Sequence, residues 1–315
     1  MLEFMLRRLF VTMVTLIAAS MVVFVVLEIL PGDPAQVMLG MEARPDTLAK
    51  LRAELGLDRP APLRYLDWIW GLLRFELGKS YAYGSDVQRL ILARMQVTLP
   101  LAGLAVSFAI CVGLPLGIFA AARHGRAGDY GVMLFSQLGI ATPSFWFGIL
   151  LVLGLAVGLK LFPAGGFPGW ATDFWGSLHA LVLPAVALGL PESAILARIS
   201  RSAMLDTLRE DYIRTARAKG VAEGSVLRRH ALRNALIPIV TIIGLFLGFQ
   251  IAGAIIIESV FYLPGLGQLV YQAINNRDLI VIKDVVILLT ALVLAINLLV
   301  DVLYAVIDPR PKVSA

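Results

Sequence analysis

Residues 9–30 read LFVTMVTLIAASMVVFVVLEIL, an apolar run of 22 residues in which Glu28 is the only charged side chain. About 20 apolar residues in an α-helix cross the hydrocarbon core of a bilayer. Five further runs of this kind follow, at about 98–122, 131–160, 178–197, 235–257 and 284–307. The fourth run is the weakest, because Pro184, Pro191 and Glu192 interrupt it. The sequence therefore predicts an all-α membrane protein with six transmembrane helices.

The overall composition is typical of a membrane protein. Of the 315 residues, 59% are hydrophobic and 16% are charged, and the mean hydropathy is +0.83. Soluble domains have about 45–50% apolar and about 25% charged residues. The difference excludes an ordinary soluble enzyme, a disordered protein and a protein that binds nucleic acid through a basic surface. The single cysteine, Cys111, excludes an intramolecular disulfide and a metal site built from cysteines.

The basic residues indicate the orientation in the membrane. The segments 1–8, 123–130, 198–234 and 308–315 together hold 15 Lys or Arg residues and seven Asp or Glu residues. Short loops rich in Lys and Arg remain in the cytoplasm. The segment 31–97 is nearly balanced, with nine basic and eight acidic residues. We therefore expect both termini to be cytoplasmic (N-in/C-in), and residues 31–97 to lie outside.

This topology divides the chain into four parts. Residues 1–30 form the first transmembrane helix, 31–97 an extracytoplasmic segment, 98–307 a transmembrane core, and 308–315 a cytoplasmic tail. The core contains one long cytoplasmic loop at 198–234. A connection as long as 31–97 predicts a small folded cap rather than a simple loop.

Two amphipathic helices are expected in the cap. Asp46 is predicted to cap the first, which ends at Gly56 and has an apolar face formed by Leu48, Leu51 and Leu55. The second begins after Pro62 and has an apolar stripe formed by Leu63, Leu66, Ile69, Trp70 and Leu73. Trp68 and Trp70 suit a membrane interface. The cap is interpreted either as a surface for an external partner or as packing over the mouth of the helix bundle.

The cytoplasmic loop is the most informative segment. Between Arg198 and Gly220 it contains no Pro and no other Gly, so a continuous helix is predicted up to Gly220. Its apolar face is formed by Leu205, Leu208, Tyr212 and Ala216. Gly220 favours a left-handed turn, and a second helix is expected to begin near Ser225. A groove in a partner protein would accept the backbone closely at three small residues, Thr215, Ala216 and Ala218.

These residues resemble a known signature. Type I binding-protein-dependent ABC importer permeases carry Glu-Ala-Ala, three residues, Gly, nine residues and Ile-x-Leu-Pro. With Gly220 as the motif glycine, Ala216 and Leu232 match this pattern, whereas four residues depart from it: Arg214, Thr215, His230 and Arg233. The strings DYIRTARAKG at 211–220 and RHALRNALIP at 229–238 resemble the B-type subunits of the dipeptide/oligopeptide branch, which includes nickel and glutathione permeases.

Three further stretches agree with that branch: LPGDP at 30–34, ELGLDRP at 54–60 and FYLPGLG at 261–267. The resemblance implies a permease subunit in the cytoplasmic (inner) membrane of a prokaryote, forming half of a pathway for di- or oligopeptides. Nickel, glutathione and other small solutes are alternatives. It also implies three kinds of partner: a second, homologous permease, two ATPase subunits that bind ATP and Mg, and an extracytoplasmic substrate-binding protein.

The same resemblance assigns coupling to the ATPases to one part of the loop, namely Asp211, Tyr212, Arg214, Thr215, Ala216, Arg217, Ala218, Lys219 and Gly220. The family glutamate is replaced by Arg214, which leaves open how this loop pairs with its ATPase. We expect no cofactor in this chain.

Gly78-Lys79-Ser80 resembles the end of a phosphate-binding loop, but Leu73 stands where that loop requires its first glycine.

Polar side chains inside the predicted spans are candidates for the pathway or for pairing within the bundle, because burying them in lipid is costly. They are Glu192, Glu258, Asn297 and Asp301. Pairing is favoured for Asp301, and both roles stay open for Glu258. The histidines do not cluster, since His124 and His230 are predicted inside and His179 outside, so no metal site is expected.

Two other classes of protein were compared with this interpretation. An ion-coupled secondary transporter would show inverted repeats and an ion site near the membrane midplane. No clear repeat is present, and the charges lie toward the ends of the spans. An integral membrane enzyme would need a nucleophile, a metal cluster or an acid/base pair in one pocket, and the sequence offers none.

Overall fold

The computed structural model describes residues 2–29, 33–40 and 44–307. The predicted tail at 308–315 and the first three residues of LPGDP lie outside the described residues. Within them the chain is all-α, and the β-type pairing consists of one isolated bridge between Lys79 and Asp86. The helices are α1 (Leu2–Phe24), α2 (Pro34–Leu39), α3 (Pro45–Glu54), α4 (Ala61–Arg74), α5 (Val87–Ala122), α6 (Ala127–Ala141), α7 (Ser144–Leu151), α8 (Phe174–Leu208), α9 (Asp211–Ala218), α10 (Glu223–Ser225), α11 (Leu232–Val260), α12 (Leu266–Asn275) and α13 (Leu279–Ile307).

Three stretches of π-helical turns extend these helices. They lie at Val25–Ile29 after α1, at Val152–Gly158 after α7, and at Val226–Ala231 before α11. The chain forms two compact units. The first unit comprises the described residues of Leu2–Thr98 and Pro264–Ala295, and the second comprises Leu99–Leu263 and residues 296–307.

Among the described residues, five helical stretches are long and apolar enough to cross a membrane: Met5–Leu27, Val87–Ala122, Phe174–Leu208, Glu223–Val260 and Leu279–Val302. The predicted third span differs from a simple helix. Ala127–Ala141 and Ser144–Gly158 meet at an angle of 100°, and together they make a sixth candidate. The break falls at Thr142, whose ψ of 119° is extended. Pro143 follows it, and a proline disfavours the helical conformation of the residue before it.

The predicted fourth span is the least apolar of the five stretches, as the sequence predicts, with a mean hydropathy of 1.8 in its most apolar window, but the predicted interruption is absent. Helix α8 runs without a break through Pro184 and Pro191, and 67% of its most apolar window is buried, the largest share of the five stretches. Close packing accounts for this. A Cβ at Gly113 of α5 would lie 2.5 Å from the Ser193 carbonyl oxygen of α8, and one at Gly117 would lie 2.6 Å from that of Ala197. The glycines therefore let the two backbones touch, and tertiary packing holds α8 straight.

The first unit joins two segments that are far apart in the sequence. Its core contains Val87 and Ile91 of α5, Leu266 and Leu269 of α12, and Val285 of α13. A buried acid links the same segments: Asp278 accepts hydrogen bonds from the Ser80 hydroxyl at 2.5 Å and the Ala82 amide at 3.0 Å. The cap residues thus fold together with the chain that follows α11.

The two predicted cap helices are present, with different starts. Arg44, not Asp46, is the capping position of α3, because Pro45 occupies the first turn, where its missing amide hydrogen costs nothing. Asp46 lies in that first turn, and the predicted face of Leu48, Leu51 and Leu55 packs against α2. Helix α4 starts at Ala61, one residue before Pro62, and ends at Phe75 in a left-handed conformation.

Candidate functional site

The segment 198–234, predicted to be a cytoplasmic loop, does not form the continuous helix that we predicted up to Gly220. Helix α8 ends at Leu208, and Glu210 is extended, with φ of −66° and ψ of 147°, before α9 begins at Asp211. The absence of Gly and Pro did not prevent a break, because packing decides the direction of α9. Ile213 is completely buried in α9, in a cluster with Met204 of α8 and with Val226 and Ala231 of the π-helical turns.

Helix α9 is followed by a turn at Gly220 and then by the helical stretch that leads into α11. Gly220 has a φ of +76°, the left-handed conformation that the sequence predicts at this point. A three-residue α10 starts at Glu223, and the π-helical turns begin at Val226, close to the predicted start at Ser225. Helix α9 is therefore connected at both ends to long apolar helices.

Two polar contacts hold the turn around Gly220. Arg217 donates two hydrogen bonds to Glu223, from Nη2 to Oε1 at 2.7 Å and from Nε to Oε2 at 3.1 Å. This hydrogen bonding raises the pKa of the Arg217 guanidinium above its ordinary value. On the other side of α9, Asn234 donates to the Tyr212 hydroxyl at 2.6 Å. Both pairs cross from α9 to the chain beyond the turn, so they fix the orientation of α9.

The residues predicted to couple divide into two sets. Ala216 faces inward and is 8% exposed, so it supports α9 rather than presenting a surface. The others are exposed: Asp211, Tyr212, Arg214, Thr215, Arg217, Ala218, Lys219 and Gly220. Arg214 pairs only loosely with Asp211, at 3.5 Å, and both side chains are more than three-quarters exposed. The free face of α9 is thus small, polar and rich in cations.

Two buried residues, Ile213 and Asp129, are not predicted by the sequence pattern. The apolar face predicted for this segment omits Ile213, which is completely buried, and includes Tyr212, which is exposed. Asp129 in the first turn of α6 is 2% exposed and binds Arg201 of α8 through both carboxylate oxygens, with Nη2 to Oδ2 at 2.7 Å. His124 and the Gly125 amide also contact Asp129, at 3.2 and 3.0 Å. The sequence feature that could have pointed to Asp129 was its position as an acidic residue in a segment with two arginines.

The polar candidates within the spans lie in the second unit. Glu192 of α8 accepts a hydrogen bond from Nε2 of Gln250 in α11, a partner that the sequence analysis missed. Gln250 is fully buried, and its Oε1 has no hydrogen-bond partner among the described residues. Glu258 of α11 is also fully buried, whereas Asn297 and Asp301 of α13 are partly buried. The geometry supports a polar pair in the bundle and leaves the pathway role of all four as a prediction.

One cavity of about 670 Å³ lies in the second unit before and at the start of α8. Its lining includes Lys160, Phe162 and His179, and the rings of the last two are 4.7 Å apart. His179 is thus engaged with an aromatic side chain. In the part of the chain that the structure describes, no group of three or more His, Cys, Asp or Glu residues is placed to hold a metal ion.

Comparison with protein families gives two matches that together cover most of the chain. Residues 113–313 match the binding-protein-dependent transport system inner membrane component, and residues 1–102 match the N-terminal part of the membrane components of such systems. The first match spans the break at Thr142, the α8–α9 break and the Gly220 turn. The family model thus includes every residue that we assigned to coupling.

Individual relatives extend over the whole length. A peptide transport system permease protein of Brucella abortus is 42% identical over 307 residues, which cover 98% of each chain. The dipeptide transport system permease protein DppB of Escherichia coli K12 is 38% identical over 334 aligned positions, again covering 98% of each. Among solved structures, an inward-facing MetNI methionine ABC transporter matches with a TM-score of 0.56 at 19% identity, covering 70% of this chain and 96% of that one. At that identity the structural match supports the fold alone.

Proposed function

Because the chain belongs to the family of inner membrane components of binding-protein-dependent transport systems, and is a permease subunit of an ABC importer, we propose that it imports di- and oligopeptides. It is a multi-pass protein of the inner membrane. Membership of this family argues against the alternative function, an ion-coupled secondary transporter. The observation that carries the peptide assignment is the full-length similarity, at 38–42% identity, to permeases named for peptides and dipeptides.

We further propose that α9 is the element through which ATPase subunits act. These subunits are separate chains that bind ATP and Mg, and this chain takes no cofactor. Support comes from the contrast between the two faces of α9: Ile213 is completely buried, while Arg214 and Lys219 are exposed. Arginine and lysine side chains on such a face complement acidic residues of a docking groove.

The proposed mechanism uses α9 as a rigid lever. Closure of an ATPase dimer on ATP would move the exposed face, and the buried Ile213 cluster would carry that movement to α8 and α11. A second permease subunit would supply the other half of the pathway. The inward-open and outward-open states then differ in their affinity for the closed ATPases, and this difference shifts their populations. The substrate-binding protein would deliver peptide on the side opposite α9, with both termini cytoplasmic.

Crosslinking tests the role of α9. In the assembled transporter, carrying Cys111→Ser in this chain, Ala218→Cys should crosslink to an ATPase subunit and react with a membrane-impermeant thiol reagent only from the cytoplasmic side. Ala216→Cys is the matched control, because it makes the same change two residues earlier, on the buried face of α9. Labelling of residue 218 from outside would overturn the topology. Equal crosslinking of both variants would overturn the proposed docking face.

Uptake tests the solute. Proteoliposomes that contain the whole transporter and its binding protein should accumulate a labelled dipeptide only when ATP is available to the ATPases. Nickel and glutathione, offered separately under the same conditions, should not be accumulated. Uptake of either one without uptake of dipeptide would contradict the peptide assignment. Accumulation driven by an ion gradient without ATP would contradict the ATP-driven mechanism.

A further inference from the structure

Helix α4 has an apolar stripe that its own unit leaves uncovered. Leu63, Leu66, Trp70 and Leu73 are spaced by three or four residues and lie on one face of the helix. Their exposed fractions lie between 47% at Leu63 and 75% at Leu73. We propose that this stripe is seated in membrane lipid and that α4 is an interfacial helix lying along the membrane surface. In the proposed topology that surface is the outer leaflet.

The opposite face of α4 is anchored in the first unit by aromatic side chains. The Tyr65 hydroxyl lies 2.7 Å from the Ser20 hydroxyl of α1, and the Phe24 ring lies 5.4 Å from the Tyr65 ring. Trp68 donates from Nε1 to Oδ1 of Asp284 in α13 at 2.7 Å. These contacts fix the rotation of α4, so the leucine stripe is held outward.

The contacts with α1 also set the depth of α4. The first candidate span is Met5–Leu27, and only 11% of its most apolar window is buried within this chain. Ser20 and Phe24 lie seven and three residues before the end of that span, which is roughly 5–10 Å at 1.5 Å per residue. Interfacial helices bury their apolar face about 5–10 Å into the boundary between headgroups and acyl chains. The distance of Ser20 and Phe24 from the end of the span thus equals the depth at which interfacial helices lie.

Exposed apolar side chains continue through the end of α1 and into the π-helical turns that follow it. Met21, Val22, Val25 and Val26 are all between 41% and 61% exposed. Helix α4 packs beside them, and its outward leucines extend the apolar surface of this candidate span. This continuity favours lipid over a protein partner as the occupant of the stripe.

The polar residues at the edge of the stripe fit a headgroup layer. The Arg74 guanidinium lies over the Trp70 ring, 4.6 Å from its centroid, and both side chains are exposed. Indole rings concentrate at membrane interfaces, and arginine binds lipid phosphates with two parallel hydrogen bonds. The pair thus places an aromatic ring at the level of the glycerol groups and a cation at the level of the phosphates.

Spin-label accessibility tests this assignment. In the complete transporter with Cys111→Ser in this chain, a nitroxide is attached at Leu66→Cys or Leu73→Cys, and the protein is placed in nanodiscs of phosphatidylethanolamine and phosphatidylglycerol. Collision rates are then measured with oxygen, which partitions into lipid, and with a water-soluble nickel chelate. Val22→Cys provides a lipid reference, and Asp67→Cys, on the polar edge of α4, provides a matched reference near water.

The expected result is an oxygen-to-nickel collision ratio at residues 66 and 73 that equals the ratio at residue 22 and exceeds the ratio at residue 67 severalfold. A high nickel collision rate at residues 66 and 73 would show an exposed aqueous face and overturn the proposal. Low rates with both reagents would show that a protein chain covers the stripe, which would overturn it equally. The measurement needs neither ATP nor solute, so its failure is distinct from failure of the proposed transport function.

Discussion

Helices α9 and α4 are both short amphipathic helices beside longer apolar ones, and they differ in what each face contributes. In α9 the inner face is aliphatic, with Ile213 fully buried, and the outer face is charged. In α4 the inner face is aromatic and hydrogen-bonded, and the outer face is a row of leucines with one tryptophan. Amphipathicity alone therefore does not identify a docking element for a protein partner.

The comparison indicates that the composition of the exposed face matches the medium that the face contacts. A cationic face with small residues suits an acidic groove in water, because unsatisfied charges stay solvated until they dock. A leucine face with Trp70 and Arg74 at its edge suits lipid. Burial of its apolar area among acyl chains stabilises the helix at the interface, and the cation binds lipid phosphate. Four substitutions measure how far this contrast holds.

Ile213→Asp is expected to have the largest effect. It places a carboxylate where the side chain is fully buried, which costs several kcal/mol. A loss of about 3 kcal/mol lowers the population of chains in which α9 is packed against its support roughly 100-fold. ATP-dependent uptake and copurification of the ATPases should therefore be abolished. Ile213→Val is the matched control and should cost about 0.5–1.5 kcal/mol. Normal uptake by the Asp variant would show that α9 needs no buried support.

Trp68→Phe tests the aromatic attachment of α4. The change keeps an aromatic side chain but removes the Nε1 donor to the buried Asp284 carboxylate, and the loss of such a hydrogen bond costs about 1–3 kcal/mol. We expect a lower thermal unfolding midpoint for the purified chain. Trp70→Phe, on the exposed stripe, should leave the midpoint nearly unchanged. Equal destabilisation by both variants would contradict the assignment of inner and outer faces.

Arg214→Glu tests the charge on the outer face of α9. Reversal of an exposed cation should weaken ATPase binding about tenfold at low salt, with a smaller effect at high salt, because exposed charges are screened. Binding is measured by titrating the ATPase onto permease in nanodiscs. Arg89→Glu, an equally exposed cation at the start of α5, serves as the control and should bind normally. An unchanged affinity for the Arg214 variant would remove electrostatics from the docking of α9.

Glu223→Gln is expected to have the smallest effect. It weakens the ion pair with Arg217 across the Gly220 turn, and exposed pairs contribute about 0–1 kcal/mol. Uptake should fall less than about fivefold. The exchange of both partners, Arg217→Glu with Glu223→Arg, should restore part of the loss. A loss as large as that of Ile213→Asp would mean that the turn, rather than the buried cluster, holds α9.

Local patterns predicted the apolar spans, because the length of a run and the need to satisfy the backbone in lipid leave few alternatives. The break at Thr142 was readable in principle from Pro143, although its angle of 100° was not. The continuity of α8 through Pro184 and Pro191 was not readable, since it depends on glycines of α5 more than 70 residues earlier.

The coupling segment was found from the resemblance of its residues, but its shape was predicted incorrectly. Nothing in the string Arg209-Glu210-Asp211 stops a helix, and the break there serves the burial of Ile213. Gln250 was missed because an amide in an apolar run gives no signal until its partner Glu192 is known to lie opposite. Contacts of this kind depend on tertiary structure, which a single sequence does not display.

The hydrogen bond between Ser80 and Asp278 has a consequence for how the protein is made. Its partners are 198 residues apart, and the core around Val87 needs α12 as well. At about 5–20 residues per second, synthesis of the chain between Thr98 and Pro264 takes roughly 8–33 s. During that interval the early part of the first unit is already outside the ribosome without its later half. Biogenesis of this permease therefore includes a waiting period in which its N-terminal third is open to chaperones and proteases.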